Sequence, residues 1–321
     1  MLTRLLVMLA LALLPLVSMA QQPAKTARIG VLGLANPTAY AAQLDAFRGG
    51  LKELGYVEGK NIQIDYRWAD GRYERLPDLA AELVNLKVEV IVTHGTGSMA
   101  AKSVTTTIPI VTYIGDMVGS GLAVSLARPG GNVTGSSFLG PELTAKRLEL
   151  LKEAAPRVTR VAVIINGASR TGKPALDAMQ VTAKQLKLSL HNYSVNGPED
   201  IDGAFAAITR DRINALVVLD DPMLIANFKT MAGLALKHRL PAIGFTGFAD
   251  AGGLMTSGVS LIDLWRRDAY FVDKLLKGAN AANLPIEQPT KFELIVNLKT
   301  AKAIGVKIPQ TLIQRADKVI E

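Results

Sequence analysis

Short apolar runs alternate with amphipathic stretches along most of the chain, the pattern that successive strand–helix–strand units produce. Residues 28–33 read as a first strand, followed by a helix over about 38–54 that Gly55 stops. Residues 61–67 alternate in strand fashion, 73–86 have helical spacing, and 88–93 form a third apolar run. A Gly-containing turn, a helix over about 98–106 and a strand at 108–113 follow. A second series begins after Asn132-Val133-Thr134-Gly135. It reads as helix 141–155, strand 160–165, helix 173–186, strand 189–195, helix 198–210, strand 215–219, helix 222–238 and strand 242–245.

Two series of similar size and order predict an α/β chain with two doubly wound, mainly parallel sheets, each covered by helices on both faces. Sites in such sheets lie at the carboxyl ends of the strands. Beyond residue 247 the count changes. Residues 261–276 form a long amphipathic helix ended by Gly278, 292–296 a strand, and 299–305 a short helix. That remainder suits a chain that passes between two lobes more than once and finishes each with a C-terminal piece.

The first residues fall outside this pattern. Arg4 is followed by an apolar stretch, 5–17, interrupted only by Pro15, and Ser18-Met19-Ala20 places small residues where a signal peptidase reads. Residues 1–20 are therefore expected to be a signal peptide cleaved after Ala20. The stretch is shorter than the roughly 20 apolar residues that span a bilayer. With no cysteine in the sequence, a lipid anchor on that residue, disulfides, a thiolate nucleophile and Cys-ligated metal are all excluded. The expected location is the periplasm. The net charge of +8 is interleaved with Glu and Asp rather than clustered, so it reads as solvated surface and not as a nucleic-acid face.

Three long stretches are familiar. Ser125-Leu126-Ala127-Arg128-Pro129-Gly130-Gly131-Asn132-Val133-Thr134-Gly135 is one, and Asp263-Leu264-Trp265-Arg266-Arg267 with Tyr270-Phe271-Val272-Asp273-Lys274-Leu275-Leu276-Lys277-Gly278 is another. The third runs from Leu284-Pro285-Ile286-Glu287-Gln288-Pro289 through Phe292-Glu293-Leu294-Ile295-Val296-Asn297 to Ala301. With Phe47-Arg48-Gly49-Gly50-Leu51 near the start, they resemble the ABC-transporter substrate-binding family with the type I periplasmic-binding-protein fold. The resemblance covers essentially all of the chain after the leader. It implies two lobes joined by a three-crossover hinge, with 28–137 plus 248–281 in one lobe and 138–247 plus 282–321 in the other. It also implies a monomer that binds a small polar ligand, an amino acid or related carboxylate, in the cleft and presents it to a membrane permease. A sensory receptor partner, or an exported α/β hydrolase, are the other classes such a chain fits.

Candidate ligand contacts follow from the strand ends. After the first strand come Asn36, Thr38 and Tyr40, which also have the chemistry of a helix cap. Gly95-Thr96-Gly97-Ser98-Met99-Ala100 matches a dinucleotide pattern but follows the third strand rather than the first, so no cofactor is expected. Backbone N–H groups at such a helix start attract an anion, which makes Thr96, Gly97 and Ser98 candidates for a ligand carboxylate. Tyr113 and Asp116 end the fourth strand, and Asp116 is a candidate for a ligand ammonium as well as for a turn. In the second series the candidates are Asn166, Ala168 and Ser169, then Asp220, then Phe245. Asp221 before Pro222 reads as a helix cap. Ser257 stands where relatives often carry Tyr, which argues against an aromatic ligand. His94, His191 and His238 have no metal spacing, and neither HExxH nor GxSxG occurs, so no catalytic or metal residue is assigned; His94, at a strand end, is the one histidine placed to face the cleft.

Overall fold

A computed structural model describes residues 26–169 and 173–321. The expected signal peptide lies outside the described residues. Among those described, no helix is long and apolar enough to cross a membrane.

The first lobe is a five-stranded parallel sheet in the order β2-β1-β3-β4-β5. Its strands are β1 (Ala27–Gly33), β2 (Ile62–Trp68), β3 (Val90–Thr93), β4 (Ile110–Ile114) and β5 (Val133–Ser137). The central strands are continuous aliphatic runs because both faces are covered by helices; β3 is buried at every position. The covering helices are α1 (Ala41–Glu53), α2 (Leu76–Asn85) and α3 (Thr96–Val104).

The second lobe has seven strands in the order β12-β11-β10-β9-β8-β6-β7. These are β6 (Arg160–Asn166), β7 (Ser189–Val195), β8 (Ala215–Val218), β9 (Ala242–Gly244), β10 (Met255–Gly258), β11 (Glu293–Asn297) and β12 (Lys318–Ile320). Among the described residues only the β10–β11 pair is antiparallel. Its helices are α4 (Gly140–Ala154), α5 (Lys173–Gln185), α6 (Ile201–Arg210), α7 (Pro222–Ala226) and α8 (Phe228–Lys237). The single helix expected over 222–238 is interrupted at Asn227, whose side chain donates to the Met223 carbonyl at 2.8 Å.

Helix α9 (Leu261–Leu276) belongs to the first lobe, where it packs along α1. Ser260 caps it by accepting from the Asp263 N–H at 3.2 Å. Its buried stripe of Leu261, Leu264, Trp265, Asp268, Ala269, Val272 and Leu275 has helical spacing. Gly50 allows the close approach of the two helices, since a Cβ there would lie 2.7 Å from the Arg266 carbonyl oxygen. Helices α10 (Leu298–Ile304) and α11 (Gln310–Gln314) close the second lobe.

The chain passes between lobes at 138–139, 259–260 and 288–292, which moves two of the expected boundaries. Met255–Gly258 pairs with β9 and β11, so the second passage follows β10 rather than preceding residue 248. Glu287 exchanges backbone hydrogen bonds of 2.9 Å with Gly135 and Ser137, which keeps it on the first sheet's edge and places the third passage after it rather than after 281.

Candidate functional site

A cavity of about 470 Å³ lies between the lobes, lined by the loops that follow the carboxyl ends of β1, β3, β4, β6, β8 and β9. That position follows from the topology, and the volume suits a small molecule.

The first lobe contributes an aromatic wall. Tyr113, at the end of β4, stacks on His94, at the end of β3, with ring centres 3.9 Å apart. Trp265 of α9 lies 4.3 Å from the His94 ring and donates its indole N–H to the Tyr113 hydroxyl at 3.0 Å. Tyr40 sits 5.6 Å from both Trp68 and Trp265. Behind this wall His94 Nε2 is 2.8 Å from Asp268 Oδ2, and both residues are buried. Burial pushes the Asp268 carboxyl above its ordinary range, and the His94 ring opposes that shift.

The second lobe contributes polar groups and a further ring. Arg147, on α4 and wholly buried, donates through Nη1 to Asp220 at 2.9 Å and through Nε to the Ser257 carbonyl at 2.8 Å. Its guanidinium also lies 5.2 Å from the centre of the Phe245 ring. Phe245 meets Phe138, on the first passage between lobes, at 5.5 Å.

A polar contact crosses the cleft. Tyr73, in the turn after β2, donates its hydroxyl hydrogen to the Asp221 carboxylate at 2.6 Å. Asp221 also accepts from Asn166 Nδ2 at 3.0 Å and from the Met223 and Leu224 N–H groups at 2.9 and 3.4 Å, so it caps α7 with Pro222 in the first turn. Burial raises the Asp221 carboxyl, with the bonds from Asn166, Tyr73 and the two amides acting against it. The Tyr73 hydroxyl is pushed upward by burial and by the Asp221 charge. This bond joins the two lobes across the cleft.

Of the residues picked out by the strand-end argument, Tyr40, Tyr113, Asp116, Asn166, Ser169, Asp220 and Phe245 line the cavity. Asp116 also forms its turn, accepting from Val118 and Gly119 N–H at 3.1 and 2.8 Å. Asn36, Thr38, Thr96, Gly97, Ser98 and Ala168 do not line it. Asn36 and Thr38 are exposed, and Asn36 accepts from the Ala39 N–H in a local turn. Helix α3 starts at Thr96, two residues earlier than expected, which turns this segment onto the sheet. Ser98 there bonds Thr112 at 2.6 Å, and the Gly97 and Ser98 N–H groups bond the His94 and Gly95 carbonyls instead of facing the cleft. Ala168 is exposed, its N–H donated to Asn166. His191 and His238 lie elsewhere, bonded to Ser189 and Thr209.

Sequence reasoning missed Phe138, Arg147 and the double role of Asp221; it singled out His94 for exposure to the cleft without assigning it to the ligand site. Phe138 follows β5 directly, so recognising that strand finds it; Arg147 carries no local signal. Ser257 is buried and lies outside the cavity lining.

The family described as ABC transporter substrate binding protein matches residues 28–320. A protein from Clostridioides difficile strain R20291 named tyrosine-binding protein is 26% identical over 287 residues, 88% of this chain and 82% of that protein. A conserved domain protein from Vibrio cholerae overlays with a TM-score of 0.86 at 27% identity, covering 92% of this chain and all (100%) of that one. An ABC domain from Streptococcus pneumoniae, solved with L-Trp, overlays with a TM-score of 0.85 at 24% identity, over 92% of this chain and 100% of that one. With the family match spanning both lobes and the fold shared with these structures, the chain belongs to the ABC transporter substrate-binding protein family and has the type I periplasmic-binding-protein fold.

Proposed function

We propose that this protein is an extracytoplasmic receptor that closes on a free α-amino acid with an aromatic or large apolar side chain and delivers it to an ABC importer. The observation that carries this reading is the division of the cleft. Carboxylate, amide and hydroxyl groups of Asp220, Asn166 and Ser169 share it with the rings of Tyr113, Phe138 and Phe245. An ammonium is held by a carboxylate through charge-assisted bonds, and a flat side chain gains area against ring faces. Asp220 is the carboxylate assigned to the ammonium, because it lines the cavity and is held from behind by Arg147. The ligand contacts proposed are Tyr40, Tyr113, Asp116, Asn166, Ser169, Asp220 and Phe245, with Phe138 added.

The names of two relatives support this choice of ligand class, since one is a tyrosine-binding protein and another was solved with L-Trp. Delivery by hinge closure needs no chemistry on the ligand, and no catalytic role is assigned. Cleavage after Ala20 and a periplasmic location complete the reading.

Isothermal titration of the leader-free protein with the twenty amino acids, with sugars and with purines tests it. Micromolar or tighter binding of tryptophan, tyrosine or phenylalanine is expected, with no heat from the sugars. Binding of a sugar or purine instead, or of none of these amino acids, overturns it.

A further inference from the structure

His94 is engaged through only one of its two ring nitrogens. Nε2 meets Asp268, while no protein atom among the described residues bonds Nδ1. Nδ1 is also absent from the buried side-chain atoms left without a partner, and His94 lines the cavity, so this nitrogen is open to the cleft. The ring has no freedom to turn away. Tyr113 lies on one side with its plane within 24°, and Trp265 packs at 50°.

Asp268 fixes which atom carries the proton. It is wholly buried, Nε2 of His94 is its one side-chain donor, and its other oxygen has no partner among the described residues. A neutral imidazole beside a carboxylate places its hydrogen on the nitrogen that faces the charge, which leaves the opposite nitrogen as a bare acceptor. The indole N–H of Trp265 is already used, donated to the hydroxyl of Tyr113. An acceptor held rigid in an apolar wall penalises any ligand that leaves it unmet.

We propose that His94 is a specificity-determining contact whose Nδ1 accepts a hydrogen bond from an N–H or O–H on the ligand's ring, with Asp268 as the positioning residue that keeps Nδ1 an acceptor. This deepens the aromatic amino-acid reading of the cleft and rests on it.

The experiment compares ligand pairs that differ in one donor. L-tryptophan is titrated against L-3-benzothienylalanine, in which sulfur replaces the ring N–H at nearly the same shape, and L-tyrosine against L-phenylalanine. The unmodified protein is expected to prefer the donor-bearing member of at least one pair by about tenfold or more, the size of one buried hydrogen bond. His94→Phe brings that ratio close to one, and His94→Gln, which retains an acceptor, keeps part of it. Asp268→Asn lowers the ratio without removing the ring contact, and the melting curve of each ligand-free variant checks its fold. Equal binding within both pairs, or a preference that survives in His94→Phe, overturns the inference while leaving the reading of the cleft intact. Failure of all four amino acids to bind overturns both.

Discussion

Arg147 Nη1 and Asp220 Oδ1 stand 2.9 Å apart, the arginine side chain fully shielded and the carboxylate only 12% exposed at the cleft. Arg147 also bonds the carbonyl of Ser257, two residues before the second passage between lobes, and its remaining amine, Nη2, has no partner among the described residues. A buried pair of this kind contributes little net stability, because desolvation offsets the attraction. What it does is hold a carboxylate at a fixed place on the cleft wall.

Removing one partner is therefore costly. Arg147→Met is expected to destabilise the protein by about 3 kcal/mol, the lower end for an uncompensated buried charge, and to weaken amino-acid binding by about 100-fold. Adding Asp220→Asn to it restores most of the stability and none of the affinity. Urea denaturation and titration calorimetry separate the two effects. A double variant as unstable as the single one contradicts the account.

Tyr73 and Asp221 come from opposite lobes, so their 2.6 Å bond exists only when the cleft is shut. A hydrogen bond to a carboxylate contributes about 1.5–3 kcal/mol. Tyr73→Phe removes it with little change in packing. Affinity is expected to fall by about tenfold or more, while the melting temperature of the ligand-free protein stays close to that of the parent. Small-angle scattering with ligand present is expected to show a larger radius of gyration than the parent. Unchanged affinity contradicts a closing role for this bond.

Strands with unbroken aliphatic runs, such as Val90–Thr93 and Ala215–Val218, were legible because both faces of a parallel strand are apolar. Val133–Ser137 and Met255–Gly258 were not, though every residue in them is buried. Their polar side chains are satisfied by backbone groups: Thr256 accepts from the Ala249 N–H at 2.8 Å, and Thr134 donates to the Leu284 carbonyl at 2.9 Å. The strand-end rule pointed to the cleft, and seven of its thirteen candidate residues line it. It had no access to the pairs that hold it, since His94 and Asp268 are 174 positions apart and Tyr73 and Asp221 are 148 apart. Such partners become visible only once the lobes are assembled.

Asp221 also sets a pH dependence. Its folded carboxyl is raised from 3.8, chiefly by burial, so the folded state binds that proton more tightly than the unfolded chain does. The contribution favouring the fold is present below the ordinary carboxylate range and is lost as pH rises through the folded value. Asp221→Asn gives up part of the cap on α7 but carries no buried charge. The unfolding free energy of the variant relative to the parent is therefore expected to move in the variant's favour as pH goes from about 3 to about 7. Urea titrations across that range check the sign, and a constant difference, or one moving the opposite way, rules the assignment out.

The first passage between lobes depends on two glycines. Gly140 donates its N–H to the Gly115 carbonyl at 2.9 Å, and a Cβ at Gly140 would lie 2.8 Å from the Gly115 Cα. The obstacle is backbone, with no flexible side chain to yield, so a methyl group there forces the end of β4 away from the start of α4. Gly140 does not have a positive φ, and alanine is favoured over glycine in a helix by about 0.5–1 kcal/mol, so neither lobe loses stability through its backbone. The strain falls on the relation between the lobes. Gly140→Ala is expected to lower amino-acid affinity by about tenfold or more, with a more open scattering profile at saturating ligand. Gly203→Ala, on α6 with nothing within 4 Å of the added carbon, is the matched control and leaves binding unchanged. If Gly140→Ala binds as tightly as that control, the close approach at this passage plays no part in closure.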